Sequence, residues 1–233
     1  MWFSIAGTLN SIFIVISLWG IWAQVKKVWD RKKNPEESGS TTQLLSLNQF
    51  SVSFLAYWSF FVYGYSMKPF NHFIVWPRLF AAVLVLVLLF EMARDRKTTT
   101  TKTVAGVASL MMLLGVCGLL FGRQFVDEGR IVSQVLIVTI TGLLAQGYAH
   151  QIKLILDSGS TGAVSIKMSQ FILAMDVTTI FFALVMGLHN GWPLLLLASV
   201  SAATKLMMMY LFYWVRVSPV AGKRRIEKQA VSV

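Results

Sequence analysis

Gln24-Val-Lys-Lys-Val-Trp-Asp30 is answered 127 residues later by Gln151-Ile-Lys-Leu-Ile-Leu-Asp157, and each stretch closes a long apolar run. The echo continues along the chain. Ser38-Gly-Ser-Thr41 recurs as Ser158-Gly-Ser-Thr161, and each leads into a new apolar run that holds Gln49-Phe50 in the first copy and Gln170-Phe171 in the second. Trp76-Pro77 and Trp192-Pro193 then open a third run in each half. Four landmarks therefore recur in one order, at offsets running from 127 residues (24 to 151) down to 116 (76 to 192). The longer first loop, Arg31 to Glu37, accounts for the drift. Self-similarity of this kind marks a duplicated structural unit.

The runs between these landmarks set the solvent. Of 233 residues, 56% are hydrophobic and 13% charged, more apolar surface than one water-soluble core hides. Stretches near the 20 residues needed to cross a hydrocarbon layer lie at Trp2 to Ala23, Leu44 to Tyr65, His72 to Met92 and Thr103 to Phe121. Three more lie at Ile131 to Ala149, Val164 to Gly187 and Pro193 to Val215. They are expected as helices, because helices and closed barrels alone satisfy the backbone in lipid, and the short alternating segments of a barrel are missing. The fold class expected is an all-α membrane protein with seven transmembrane helices, arranged as two parallel three-helix bundles joined by a connecting helix. The expected divisions are 1–97 for the first bundle, 98–125 for the connector, 126–217 for the second bundle and 218–233 for a basic tail. One connector between two three-span units returns the chain to its starting side, so both halves share one orientation, as in parallel-repeat transporters.

Charge predicts sidedness, because short loops rich in Lys and Arg stay cytoplasmic. Lys26, Lys27, Arg31, Lys32 and Lys33 follow the first run; Arg94, Arg96, Lys97 and Lys102 the third; Lys153 and Lys167 flank the loop after the fifth. Arg216, Lys223, Arg224, Arg225 and Lys228 mark the tail, whereas the opposite loops hold only Lys68, Arg123 and Arg130. The N-terminus is thus expected outside or in a lumen, and the C-terminus in the cytoplasm. The first run has no basic residues ahead of it, the reverse of a cleavable signal peptide, and is expected to remain as a span. The net charge of +11 sits beside spans with no nucleic-acid recognition motif, so lipid headgroups and insertion explain it and no nucleic-acid partner is expected. Cys117 is the only cysteine, which excludes an intrachain disulfide and a cysteine-based metal site.

On these residues the chain resembles the PQ-loop and SWEET transporter superfamily. Gln24 to Asp30 with Ser38 to Ser46, and Gln151 to Asp157 with Ser158-Gly-Ser-Thr-Gly-Ala-Val-Ser165, look like its two PQ-loops, the second more closely. The resemblance implies two triple-helix bundles facing a central site, with gates near Gln24, Gln151 and the neighbouring His150. It also implies that a monomer suffices for a pathway, since half-length relatives must pair, with an oligomer left open. Where the family has Pro before the Gln, this chain has Ala23 and His150, so Pro77 and Pro193 are the expected hinges instead.

Three ionisable groups stand out inside the apolar runs: Arg78, Asp176 and Lys205. An Asp or Lys at a helix centre opposes insertion by about 2.5 to 3.5 kcal/mol, so partners or a wet cavity are expected. Asp176 and Lys205 lie at similar depth on successive spans, where an ion pair is feasible as a structural bridge. Asp176 sits in Leu173-Ala-Met-Asp-Val-Thr-Thr-Ile180, similar to the sixth-span acid of cystinosin-like amino-acid exporters, and the resemblance implies proton coupling there. Burial and a neighbouring ammonium act on such a carboxylate in opposite senses, so its protonation can follow the opening of a cavity. Cystinosin-like relatives tend to carry an acid where this chain has Lys205.

Arg78 lies where SWEET-type relatives carry an amide. Its guanidinium forks onto carboxylates or phosphates, or else snorkels to the outer interface. Further polar candidates are Asn10, the stripe Gln49, Ser53 and Tyr57, and Gln146. Trp58 is either an aromatic wall for a solute or a packing residue.

No nucleophile triad, metal-ligand spacing, phosphate-cradling loop or paired intramembrane carboxylate argues for an enzyme, and no cofactor is implied. A retinal-binding role for Lys205 lacks a counter-ion between Leu79 and Phe90. The expected function is transport of a small polar metabolite, an amino acid or carboxylate favoured, by alternating access between the bundles and coupled to protons through Asp176. The alternatives are a neutral-sugar facilitator of SWEET type and a solute-binding receptor or scaffold without flux.

Overall fold

The computed structural model describes residues 1–33, 42, 46–121, 126–161 and 166–231. All regular structure in them is helical: α1 Trp2–Lys33, α2 Leu47–Tyr65, α3 His72–Arg96, α4 Thr99–Phe121, α5 Val126–Ser158, α6 Ile166–Val185, α7 Leu188–Val217 and α8 Pro219–Val231. Five of these, α1, α3, α4, α5 and α7, are long and apolar enough to cross a membrane. The shortfall from seven has a local cause. Gln49, Ser51, Ser53 and Ser59, with four aromatic hydroxyl or indole side chains, dilute the hydropathy of α2, while α6 is apolar over Ser169–Val185, the unbroken part of it whose side chains are described.

Several helices outrun their apolar cores. α1 continues through Gln24–Asp30 and α5 through Gln151–Asp157, because no proline stands before either glutamine to end the hydrogen-bond ladder. The expected basic tail is itself helical, as α8.

The chain divides into two compact units, Met1–Ile140 and Thr141–Val233. In the first, α3 packs against α1, α2 and α4, and α4 also covers α2. Val75, Ala82, Val85, Leu89 and Met92 recur along α3 at helical spacing and bury one face against Phe50, Phe54, Trp58 and Phe61 of α2 and Met112 of α4. The second unit is built on the antiparallel pair α6 and α7; at one end Ile155 of α5 meets Met208, Leu211 and Val215 of α7. The reversal between α6 and α7 runs through Gly187 at φ +81°, a conformation that glycine alone adopts without a Cβ penalty. The chain returns so closely that a Cβ on Gly191 would run into the Ala183 carbonyl.

Outward faces are strongly apolar. Val107, Leu110, Leu113, Leu114, Leu120 and Phe121 of α4 are all exposed, as are Ile5, Leu9, Ile12 and Trp19 of α1. Exposed apolar side chains in this number mark a surface for a membrane or a partner rather than for water, in keeping with helices long and apolar enough to span.

Both internal prolines fall at the sixth residue of their helices, Pro77 in α3 and Pro193 in α7. Pro77 cannot donate to the Phe73 carbonyl four residues back. Ser11 of α1 donates its hydroxyl to that oxygen at 3.2 Å instead.

Candidate functional site

In the second unit, Asp176 of α6 and Lys205 of α7 are 4% and 5% exposed. Both are buried on their helices, and Lys205 has a neighbour that sequence reading missed. The Lys205 ammonium donates to the Tyr148 hydroxyl and lies 3.8 Å from the centroid of that ring, so one tyrosine of α5 offers it both an acceptor and a π face. Asp176 is close enough to act electrostatically on both Lys205 and Tyr148. The inner faces of α6 and α7 here are otherwise small and polar: Thr178, Thr179 and Ser201 are buried, and the two threonine hydroxyls donate back to the Met175 carbonyl at 2.8 and 2.9 Å. An acid, a base and a phenol thus share one buried neighbourhood.

The first unit holds Arg78, 7% exposed. Its guanidinium lies 5.7 Å from the ring centroid of Tyr57 and 5.2 Å from that of Phe60, so two α2 aromatics face this cation. Ser53 and Tyr57 are half-buried on the α2 stripe, while Gln49 at its end is exposed. Asn10 is buried on α1, beside Ser11. Trp58 is buried and donates its indole N–H to the Met111 carbonyl of α4 at 2.7 Å. Gly115 makes that approach possible, since a Cβ there would stand 2.7 Å from the indole nitrogen.

Of the expected gate residues, Gln151 is half-buried in α5; the further polar candidate Gln146 is exposed. Gln24 and His150 lie in helices, but their side chains are outside the described ones, as are residues 38–41 and 162–165. Pro77 and Pro193 are buried within their helices.

The three ionisable groups expected inside spans omit a fourth, Glu91 near the end of α3. Its carboxylate accepts from Trp29 Nε1 at 3.1 Å and pairs with Lys32, both on α1. One turn on, Asp95 Oδ2 accepts from the Thr42 amide at 2.8 Å and the Thr42 hydroxyl at 2.7 Å. Arg96 donates to the Thr42 carbonyl at 2.5 Å. The last turns of α3 thereby fasten both the end of α1 and Thr42. The acidic pair at i and i+4 opposite the basic end of α1 was the available signal.

Among the described residues no cluster of three or more His, Cys, Asp or Glu side chains is placed to hold a metal ion. Compared with known proteins, the sequence matches no family model and no curated protein.

Proposed function

We propose that the chain is an integral membrane transporter for a small polar metabolite, with an amino acid or a carboxylate as the favoured class. The observation that carries the reading is the buried set Asp176, Lys205 and Tyr148, one carboxylate and one ammonium held inside apolar helices at an insertion cost that a functional role accounts for. Arg78, buried between two aromatic rings of the first unit, adds a second fixed cation suited to a carboxylate. Trp58 spends its N–H on the Met111 carbonyl, which leaves it less to offer a neutral sugar.

In this reading all of α1 to α7 cross the bilayer. α2, at 19 residues, reaches about 28 Å at 1.5 Å per residue, enough for the hydrocarbon layer. The repeat and its resemblance to PQ-loop transporters support two parallel triple-helix units working by alternating access, N-terminus outside and C-terminus cytoplasmic. Asp176 is the proton-responsive group, and Lys205 and Arg78 are the anion contacts.

Uptake by proteoliposomes of a panel of amino acids, organic acids and sugars, with and without a pH gradient, tests the proposal. Saturable flux of a charged or zwitterionic solute supports it. Flux confined to sugars points to a facilitator, and solute binding without flux to a receptor; either result overturns it.

A further inference from the structure

α7 ends at Val217, and after Ser218 alone the chain starts a new helix, α8, with Pro219 as its first residue. Ser218 is extended, at φ −77° and ψ 125°, so α8 departs in a new direction, and proline at a first helical position is pre-organised for the start. One side of α8 is docked. Ala221 is completely buried, and Arg224 donates to the Leu156 carbonyl at 2.5 Å, placing a cation on the negative end of the α5 dipole. Gly159, at φ +62°, closes α5 with its amide bonded to the Ile155 carbonyl at 2.9 Å. Any Cβ on Gly159 would run into the Ala221 carbonyl. α8 is therefore held across the end of α5.

The opposite side of α8 is left to the surroundings. Ile226 is 69% exposed, Val220 is exposed, and Lys223 is exposed beside them. At about 100° per residue, Ile226 lies across the helix from Ala221 and Arg224. Between Pro219 and Val231 the helix carries Lys223, Arg224, Arg225 and Lys228 against Glu227 alone. Exposed aliphatic side chains among lysines and arginines are the pattern of a helix lying in a membrane interface, and basic clusters directly after a span meet the headgroups of anionic lipids. α8 begins two residues beyond a helix long enough to span, so the bilayer surface is the partner within reach.

We propose that α8 is an interfacial helix that binds anionic phospholipid, with the exposed Val220, Lys223 and Ile226 turned to the bilayer and the helix's excess of basic residues as the source of its preference for acidic headgroups. It rests on the membrane reading above but not on transport. The test uses the full chain in a Cys117→Ser background, Cys117 being exposed and the sole cysteine, with Ile226→Cys carrying an environment-sensitive fluorophore. Nanodiscs of phosphatidylcholine, with and without about 30% phosphatidylserine, contain lipids bearing a quencher below the headgroup.

Quenching should rise about twofold or more with phosphatidylserine. The rise should vanish in about 1 M salt, where the Debye length is about 3 Å, and in the triple variant Lys223→Gln, Arg225→Gln, Lys228→Gln. Hydrogen exchange at Ile155–Gly159 should stay unchanged in that variant, showing that α8 is still docked. Quenching absent in both lipids, or insensitive to lipid charge and salt, overturns the proposal. So does quenching that an added polynucleotide relieves in uncharged lipid. A chain that fails to enter nanodiscs overturns the membrane reading as well, whereas one that enters without quenching overturns this inference alone.

Discussion

Ser11 donates its hydroxyl to the carbonyl oxygen of Phe73 at 3.2 Å, and that oxygen is the one Pro77 leaves without its helical N–H. A proline inside a membrane helix is tolerated when a neighbour satisfies the freed carbonyl. Here the neighbour is α1, which this bond ties to α3 one turn before Pro77.

Ser11→Ala should cost about 0.6 kcal/mol and at most about 1.7 kcal/mol, the range for interhelical hydrogen bonds in membranes. In a Pro77→Ala background the backbone N–H returns and Ser11→Ala should cost almost nothing. Unfolding in micelles across this double-mutant cycle checks it; equal losses in both backgrounds would show that Ser11 acts elsewhere.

Gly115 and Trp58 form a second coupled pair. Gly115→Ala places a methyl 2.7 Å from the indole nitrogen and should displace the bond to Met111, costing about 1 to 3 kcal/mol as overpacking does. Trp58→Phe alone should lose less, and should largely cancel the effect of Gly115→Ala. Additive losses in the same unfolding assay would contradict this.

Thr42 is held by the Asp95 carboxylate through two bonds, and hydrogen bonds to charged groups are worth about 1.5 to 3 kcal/mol each. Asp95→Ala should lower the exchange protection of the Thr42 amide by at least about tenfold, with the α2 to α3 core unchanged. Unaltered exchange at Thr42 would mean that Arg96 alone holds that residue.

Tyr148→Phe keeps the ring beneath the Lys205 ammonium but removes the hydroxyl, which should cost about 1 to 3 kcal/mol of stability. Tyr148→Leu removes both and should cost more. In a Lys205→Met background, the two substitutions should converge in thermal unfolding; a difference that persists would place the role of Tyr148 in packing.

The apolar runs and the prolines were legible because lipid and ladder geometry act on each residue separately. What the polar groups do was not, because their partners are remote in sequence. Glu91 reads as an interface residue until Lys32, 59 positions away, is beside it. Tyr148, between Gly147 and Ala149, is an ordinary helical tyrosine until Lys205, 57 positions on, rests against it. Trp58 is the sharpest case: an indole in a span reads as packing more readily than as a solute wall, and only the Met111 carbonyl and the space at Gly115 show where its N–H goes. Leu44 to Tyr65 is expected as a span from its length, yet the hydroxyls and amides of α2 dilute its hydropathy, and it is not among the five helices apolar enough to span.

The buried Asp176 and Lys205 are the centre of the account, and initial uptake rates in proteoliposomes at a series of external pH values test it most directly. Wild-type chain should take up a zwitterionic or carboxylate solute with a pH-dependent rate, and Asp176→Asn should abolish that dependence. Identical rates for the two proteins at every pH, or no solute carried by either, would contradict it.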